Sequence, residues 1–277
     1  MTNKLMSVIV LSWNRLEYTK LTIENIIKRT TVPHILVLVD NNSAKETGVN
    51  DYLHSITKSN TNAEDVLYVD NLKNLGVAGG RNSGICAVEQ SKYEQEYIFN
   101  IDDDIIVPEN YDKRIVEICN KVPKIGLTGI NVEPNKYPIV TINGIKVQIK
   151  SAGNLGGAAL AIPRRVFKRT GYYGFGNGTL YGHEDSYLRS KLDILGLISA
   201  YIPGRGTHLD KYKDKAYRVA KNNAHKKGSI QLRELSKSVI EMRKTGNVYT
   251  PYIGPDIYTP VDEDIFTADL IMDGRQK

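Results

Sequence analysis

The sequence predicts an α/β fold, a mostly parallel sheet with helices on both faces, and three observations predict it. Short apolar, β-prone runs alternate with segments of helical spacing from the first residues onward. The second of these runs, 35–39, ends at a carboxylate, Asp40. A later one, 97–101, enters three consecutive carboxylates, Asp102-Asp103-Asp104, before Ile105-Ile106-Val107 and a stop at Pro108. Strands of this kind deliver polar groups to the sheet edge where open α/β folds bind ligands. With 277 residues, 41% hydrophobic and 25% charged, the chain is long enough to bury a sizeable core.

Residues 6–12 form the first strand, and Leu16, Leu21, Ile23, Ile26 and Ile27 give 16–30 helical spacing. Pro33 stops that helix before the second strand. A loop through Asn41-Asn42-Ser43, a helix over 49–57 and a third strand at 66–69 follow. Asn74-Leu75-Gly76 and Gly79-Gly80-Arg81-Asn82 open a helix that runs to about 91. Glycines at such an entrance admit a phosphate or ribose to the backbone, or simply let the helix pack closely; the spacing fits neither GxGxxG nor GK[ST]. After the acidic strand come a helix at 111–121, a strand at 125–130 and a hairpin over 137–149 turned by Asn143-Gly144. A strand of small residues at 156–162 and a short helix at 163–170, begun by Pro163, lead into the loop 171–182, dense in glycine and aromatics. His183-Glu184-Asp185 then starts a helix over 186–195, followed by a strand at 198–202 and by His208. Helices near 214–227 and 230–244 and an irregular tail from Gly246 complete the chain.

Three features are candidates for chemistry. Adjacent like charges repel and desolvate poorly, so Asp102-Asp103-Asp104 reads as a cation site or as a strand end open to water. Oxygen ligands of this type suit Mg²⁺ or Mn²⁺, which share their coordination with substrate phosphates. Glu184 and Asp185 read as first-turn acids favoured by the helix dipole, or as a general base beside a covering loop. Tyr172, Tyr173, Phe175 and Tyr181 in that loop read as a surface for a sugar face or as a loop packed on its own rings.

The net charge of +6 is uneven: residues 205–244 carry twelve Lys/Arg against four Asp/Glu, and 251–273 carry acids and no base. A solvated helix face is the commonest meaning of such a basic segment; attraction to phosphates or an anionic membrane surface is the alternative, and no nucleic-acid partner is expected. Cys86 and Cys119 lie in apolar helical patterns and give no disulfide or zinc framework. No signal-like run and no apolar run near 20 residues is present, so the expected location is cytoplasmic, with peripheral membrane contact and self-association both compatible.

With these motifs in order, the sequence resembles the inverting family-2 glycosyltransferases of the GT-A fold, from about residue 7 to about 222. Val8-Ile9-Val10-Leu11-Ser12-Trp13-Asn14-Arg15 is similar to the family's opening strand and Thr/Ser-x-Asn-Arg turn, although Trp13 stands where a small residue or Tyr is usual. Val39-Asp40-Asn41-Asn42-Ser43, Asn74-Leu75-Gly76 with Arg81-Asn82, Asp102-Asp103-Asp104, and Gly182-His183-Glu184-Asp185 with Arg189 match its later motifs. The resemblance implies a GT-A, Rossmann-like catalytic domain at 1–210, with a nucleotide-sugar half to about 107 and an acceptor half from about 108, and an extension at 211–277 that matches nothing in the family. It implies nucleotide contacts from Ser12, Asn14, Asp40, Asn74, Arg81, Asp102 and Asp103, with Asp40 toward the base and Asp102 toward the ribose. Asp104 and His208 are then metal contacts for Mn²⁺ or Mg²⁺, Asp185 the catalytic base and Glu184 an acceptor-orienting group. The implied partners are a nucleotide-diphosphate-sugar donor, UDP-sugar favoured, and a glycan, lipid-linked or protein-linked hydroxyl acceptor. A sugar-nucleotide nucleotidyltransferase and a non-catalytic nucleotide- or carbohydrate-binding protein are the rival readings.

Overall fold

The computed structural model describes residues 5–150, 155–174, 183–209 and 231–254. Its centre is a nine-stranded sheet in the order β3-β2-β1-β4-β9-β6-β10-β8-β7. Strands β1 (Leu5–Ser12), β2 (His34–Asp40), β3 (Asp65–Asp70) and β4 (Gln95–Asp102) form a continuous parallel block. The chain then inserts β9 (Ala159–Pro163) antiparallel between β4 and β6 (Ile125–Asn131), and β10 (Ile198–Arg205) lies parallel to β6. The hairpin β7 (Ile139–Ile142) and β8 (Ile145–Gln148) closes the edge, with Asn143 and Gly144 at positive φ in its turn. A separate two-stranded ribbon pairs β5 (Ile105–Ile106) with β11 (Thr207–His208).

The buried strands β1, β2 and β4 are near-continuous apolar runs because helices cover both faces. Helix α1 (Leu16–Arg29) turns Thr19, Thr22, Ile23 and Ile26 inward, and each isoleucine so buried contributes about 1.5–3 kcal/mol. On the other face α3 (Gly76–Glu89) lies directly on β1 and β2. A Cβ at Gly80 would sit 2.4 Å from Leu11 Cδ1, and one at Gly84 2.5 Å from Ile9 Cγ2. Of the two roles open to these glycines, close packing is the one Gly80 and Gly84 take. Helices α2 (Val49–Ser55), α4 (Tyr111–Lys121), α5 (Arg164–Thr170) and α6 (Glu184–Ile194) complete the layers. Helix α7 (Gln231–Thr245) packs on α6, and the segment after it reaches back to the end of α5: Thr250 bridges Gly171, and Tyr252 meets the Tyr172 ring with centroids 5.0 Å apart. The helix expected at 214–227 lies outside the described residues.

Candidate active site

The three acids of the strand end face three ways. Asp102 closes β4, and its carboxylate receives Arg81 Nη2 at 2.6 Å. Asp103 turns under α1, where Oδ1 accepts from Arg15 at 2.6 Å and Oδ2 accepts from the Trp13 N–H and the Thr19 hydroxyl, each at 3.2 Å. The Thr22 hydroxyl donates to the Asp103 carbonyl at 2.8 Å, so the turn is pinned to the helix. Burial pushes the Asp103 carboxyl upward, Arg15 pulls it down, and Asp104 beside it adds to the rise. Asp104 is also buried; Oδ2 lies 3.0 Å from Arg15 Nη2, while Oδ1 accepts no hydrogen bond among the described residues.

The ends of β1, β2 and β3 lie level, since Ser12 is opposite Asp40 and Asp40 opposite Asp70. Asn14, at φ 60, donates its N–H to Ser43 Oγ and accepts from the Ala44 N–H, which locks the first two loops together. Asp40 accepts from the Ser43 N–H at 2.9 Å and from Asn50 Nδ2 at 3.0 Å. Asn41 and Asn74 form a buried amide pair that caps the approach to α3. Among the described residues, Ser12 Oγ and Asn74 Nδ2 at this edge are buried without a hydrogen-bond partner. A buried polar group of this kind calls for a partner, which a bound water or a ligand would supply.

Arg81 joins the acidic strand end to the start of α6. It is 1% exposed, donates to Asp102 and to the Gly157 carbonyl at 2.8 Å, lies 3.9 Å from Glu184 Oε1 and sits 5.6 Å from the Tyr173 ring centroid. Burial opposes its charge, but Asp102, Tyr173 and Glu184 outweigh that and hold the guanidinium charged. The residue therefore lies beneath the site as a brace between carboxylates. His183 adopts φ 57 to start α6, Glu184 is nearly buried, and Asp185 Oδ1 accepts from the Ser186 N–H at 2.6 Å. A Cβ on Gly157 would meet Arg81 Nη1 at 3.6 Å and Asp185 Cβ at 3.9 Å, which brings Asp185 to the same floor as Arg81. Arg189 points away, to Asp193 on its own helix at 2.7 Å.

His208 reaches Asp104 through the β5–β11 ribbon: it pairs with Ile105, and the Leu209 N–H donates to the Asp104 carbonyl at 2.8 Å. Its Nδ1 lies 3.7 Å from Asp104 Oδ2. Among the described residues no three His, Cys, Asp or Glu groups converge on one point. One carboxylate with a bare buried oxygen and one imidazole beside it nevertheless fit a divalent ion that completes its shell with diphosphate oxygens, and the nitrogen ligand suits Mn²⁺ better than Mg²⁺.

The first two loop tyrosines need a correction as sugar-facing rings. Tyr172 and Tyr173 are 8% and 4% exposed; Tyr172 packs edge-on to Phe167, and the Tyr173 backbone exchanges two hydrogen bonds with the Asn82 side chain. Their rings are worth more to the core than to solvent. Phe175 and Tyr181 lie outside the described residues. Sequence reading gave Arg15 of the first turn no role and passed over Thr19 and Thr22; their i, i+4, i+7 spacing runs from the start of α1 along its buried face and places the three polar groups under Asp103. It also passed over Lys191, fully buried on α6, whose Nζ donates to the Thr170 and Tyr172 carbonyls at 2.6 and 2.9 Å. Burial pushes that amine down to about 7.

No curated protein sequence matches the chain. Among solved structures it is similar to a mannosyltransferase from Pyrobaculum calidifontis in complex with GDP-Man and Mn²⁺, with TM-score 0.56 and 16% identity over 78% of this chain and 60% of that one. It is also similar to GalNAc-T7 with UDP, GalNAc and Mn²⁺, with TM-score 0.57 and 17% identity over 75% of this chain and 44% of the other. S. aureus TarS 1-349 in complex with UDP gives TM-score 0.50 and 15% identity over 73% and 59%. The chain thus spans 60% or less of each of these proteins, and at such identities they establish the GT-A, Rossmann-like fold. Among the described residues no helix is long and apolar enough to cross a membrane. The profile of glycosyl transferase family 2 matches residues 7–151, just over half of the chain, which contain the acidic strand end and every strand-end residue of the first sheet half, and the chain belongs to that family.

Proposed function

We propose that the chain transfers a sugar from a nucleotide-diphosphate-sugar, UDP-sugar favoured, to a hydroxyl of a glycan, lipid-linked or protein-linked acceptor, in one displacement with inversion. The observation that carries this reading is the Arg81 brace, which holds the Asp102 strand end and the Glu184 helix start on one floor. The nucleotide lies along the level ends of β1 to β4, where Ser12 Oγ and Asn74 Nδ2 await partners, with the base toward Asp40 and the ribose toward Asp102. Asp104 and His208 hold Mn²⁺ or Mg²⁺, which when bound supplies Lewis-acid stabilisation of the diphosphate leaving group. The Mn²⁺ present with a nucleotide or nucleotide-sugar in the complexes of the first two structural neighbours supports the use of a divalent ion. Asp185 takes the proton from the acceptor hydroxyl as its oxygen attacks the anomeric carbon, and Glu184 orients that acceptor. Asp103 acts from below, by fixing the turn that aims Asp102 and Asp104.

Incubation with UDP- and GDP-sugars in Mn²⁺, with and without hydroxyl acceptors, tests the proposal. Acceptor-stimulated release of the nucleoside diphosphate, with inverted anomeric configuration in the product by NMR, is expected. Pyrophosphate exchange without nucleoside diphosphate release would instead identify a nucleotidyltransferase.

A further inference from the structure

Three consecutive residues before β9 touch three different parts of the catalytic face. The Ala158 carbonyl accepts from the Asp102 N–H at 2.9 Å. Gly157 faces Arg81 and Asp185, as described above. Gly156 faces a third cluster: a Cβ there would lie 3.2 Å from Glu133 Oε1 and 3.6 Å from the Tyr201 hydroxyl, to which the Gly156 N–H already donates at 2.7 Å. Since consecutive Cα atoms are about 3.8 Å apart, the third cluster stands on the order of 10 Å from Asp185.

That cluster is composed for a polyol. Glu133 follows β6 and accepts the Tyr137 hydroxyl on one oxygen, while Lys150 Nζ lies 3.3 Å from the other. Lys150 also stands 5.7 Å from the Tyr137 ring centroid, and that ring stacks on Tyr201 with centroids 5.6 Å apart and planes 19° from parallel. Glu133 and Lys150 each keep 23% of their side chains exposed, and Tyr137 is partly exposed, so the group meets solvent while its base is fixed in the sheet by Tyr201. A carboxylate acceptor, an ammonium donor and an aromatic hydroxyl side by side match neighbouring hydroxyls of a pyranose, which offer both donors and acceptors on an apolar ring. The donor site at β1 to β4 and the base make no use of this group.

We infer that Glu133, Tyr137 and Lys150 form a subsite for a sugar unit of the acceptor, across Gly156-Gly157 from Asp185. This rests on the reading of Asp185 as the base. It makes the acceptor a glycan or glycoconjugate whose reacting hydroxyl is presented by a bound sugar ring, in preference to a bare protein side chain.

Saturation-transfer NMR with cellobiose, lactose and chitobiose as probes, on the full chain saturated with UDP and Mn²⁺, tests the subsite. The wild type is expected to bind at least one of the three. Glu133→Gln and Lys150→Met are expected to weaken it about tenfold, as for a lost hydrogen bond to a charged group. Tyr137→Phe, which keeps the ring stack, tests the hydroxyl without opening the core. UDP affinity on the same samples serves as the control for folding and for the donor site. No binding of any disaccharide by the wild type, or undiminished binding by variants that retain UDP affinity, overturns the subsite alone. Failure of the wild type to bind UDP in Mn²⁺ would instead strike at the transferase reading beneath it.

Discussion

From β3 to β4 the sheet pairs parallel strands residue by residue apart from one slip at Leu5/Met6, whereas from β9 to β7 it reverses direction, slips register twice within β10 and joins β10 to β8 at the single pair Tyr201–Gln148. In the first half the functional groups arrive by position alone: Ser12, Asp40 and Asp102 stand where their strands end. In the second half they arrive by closure over long stretches of chain, as when β11 returns His208 to Asp104 or α6 brings Asp185 to Gly157. The two halves therefore differ in what a substitution can damage. On the proposed function, the first half carries donor binding on a rigid edge, and the second carries the proton transfer on elements held by a few specific contacts.

The largest effect separating the halves is expected at Asp185. Asp185→Asn leaves the helix start and its Ser186 contact in place but removes the base, so the transfer rate should fall about 10²–10⁴-fold while donor affinity changes little. Steady-state kinetics with a donor and acceptor found active in the screen above measure this.

Next comes Asp103, which sharpens the contrast because it lies in the donor half yet serves the fold. Both of its oxygens accept only from donors, Arg15, Trp13 N–H and Thr19. In Asp103→Asn an amide N–H₂ must face one of them, a cost of about 2–3 kcal/mol that urea unfolding would register as a lower midpoint.

The third effect is small at any one pH step and is expected at Lys191, the contact that holds α6 to the root of the loop before it. Its folded value of about 7 lies below the ordinary 10.5 because burial disfavours the ammonium. Between those values the unfolded chain binds a proton that the folded chain has released. Stability from this group is thus complete above pH 10.5, declines as pH drops, and is gone below about 7. Lys191→Met should flatten the rise of unfolding free energy between pH 7 and 10 by about 1 kcal/mol per pH unit. An unchanged slope would mean that the amine is charged in the folded state throughout.

The same division explains what could be read from the sequence. Local periodicity located α4 at 111–121, the strands of the parallel block and the Asn143-Gly144 turn, because each depends on neighbours in the chain. The acidic strand end and Glu184-Asp185 stood out as residue types. What they touch was not legible: nothing local to Arg81 says that it lies 1% exposed between Asp102 and Glu184. Tyr172 and Tyr173 looked like loop residues, but the returning segment at Thr250 and Tyr252 buries the first and the Asn82 side chain fixes the second. The pairing of Thr207-His208 with Ile105-Ile106 spans about a hundred residues and leaves no periodic trace, so the position of His208 beside Asp104 was not legible in the sequence, where its proposed metal role drew on the family resemblance.

The division of labour between Asp104 and Asp185 is the centre of this account, and calorimetric titration of a UDP-sugar in Mn²⁺ tests it most directly. Asp104→Ala is expected to weaken binding at least about tenfold, by loss of the metal contact, and to abolish its dependence on Mn²⁺. Asp185→Asn is expected to bind within about twofold of wild type, a difference of well under 1 kcal/mol. Equal loss of binding in the two variants, or Mn²⁺-dependent binding that survives Asp104→Ala, would contradict it.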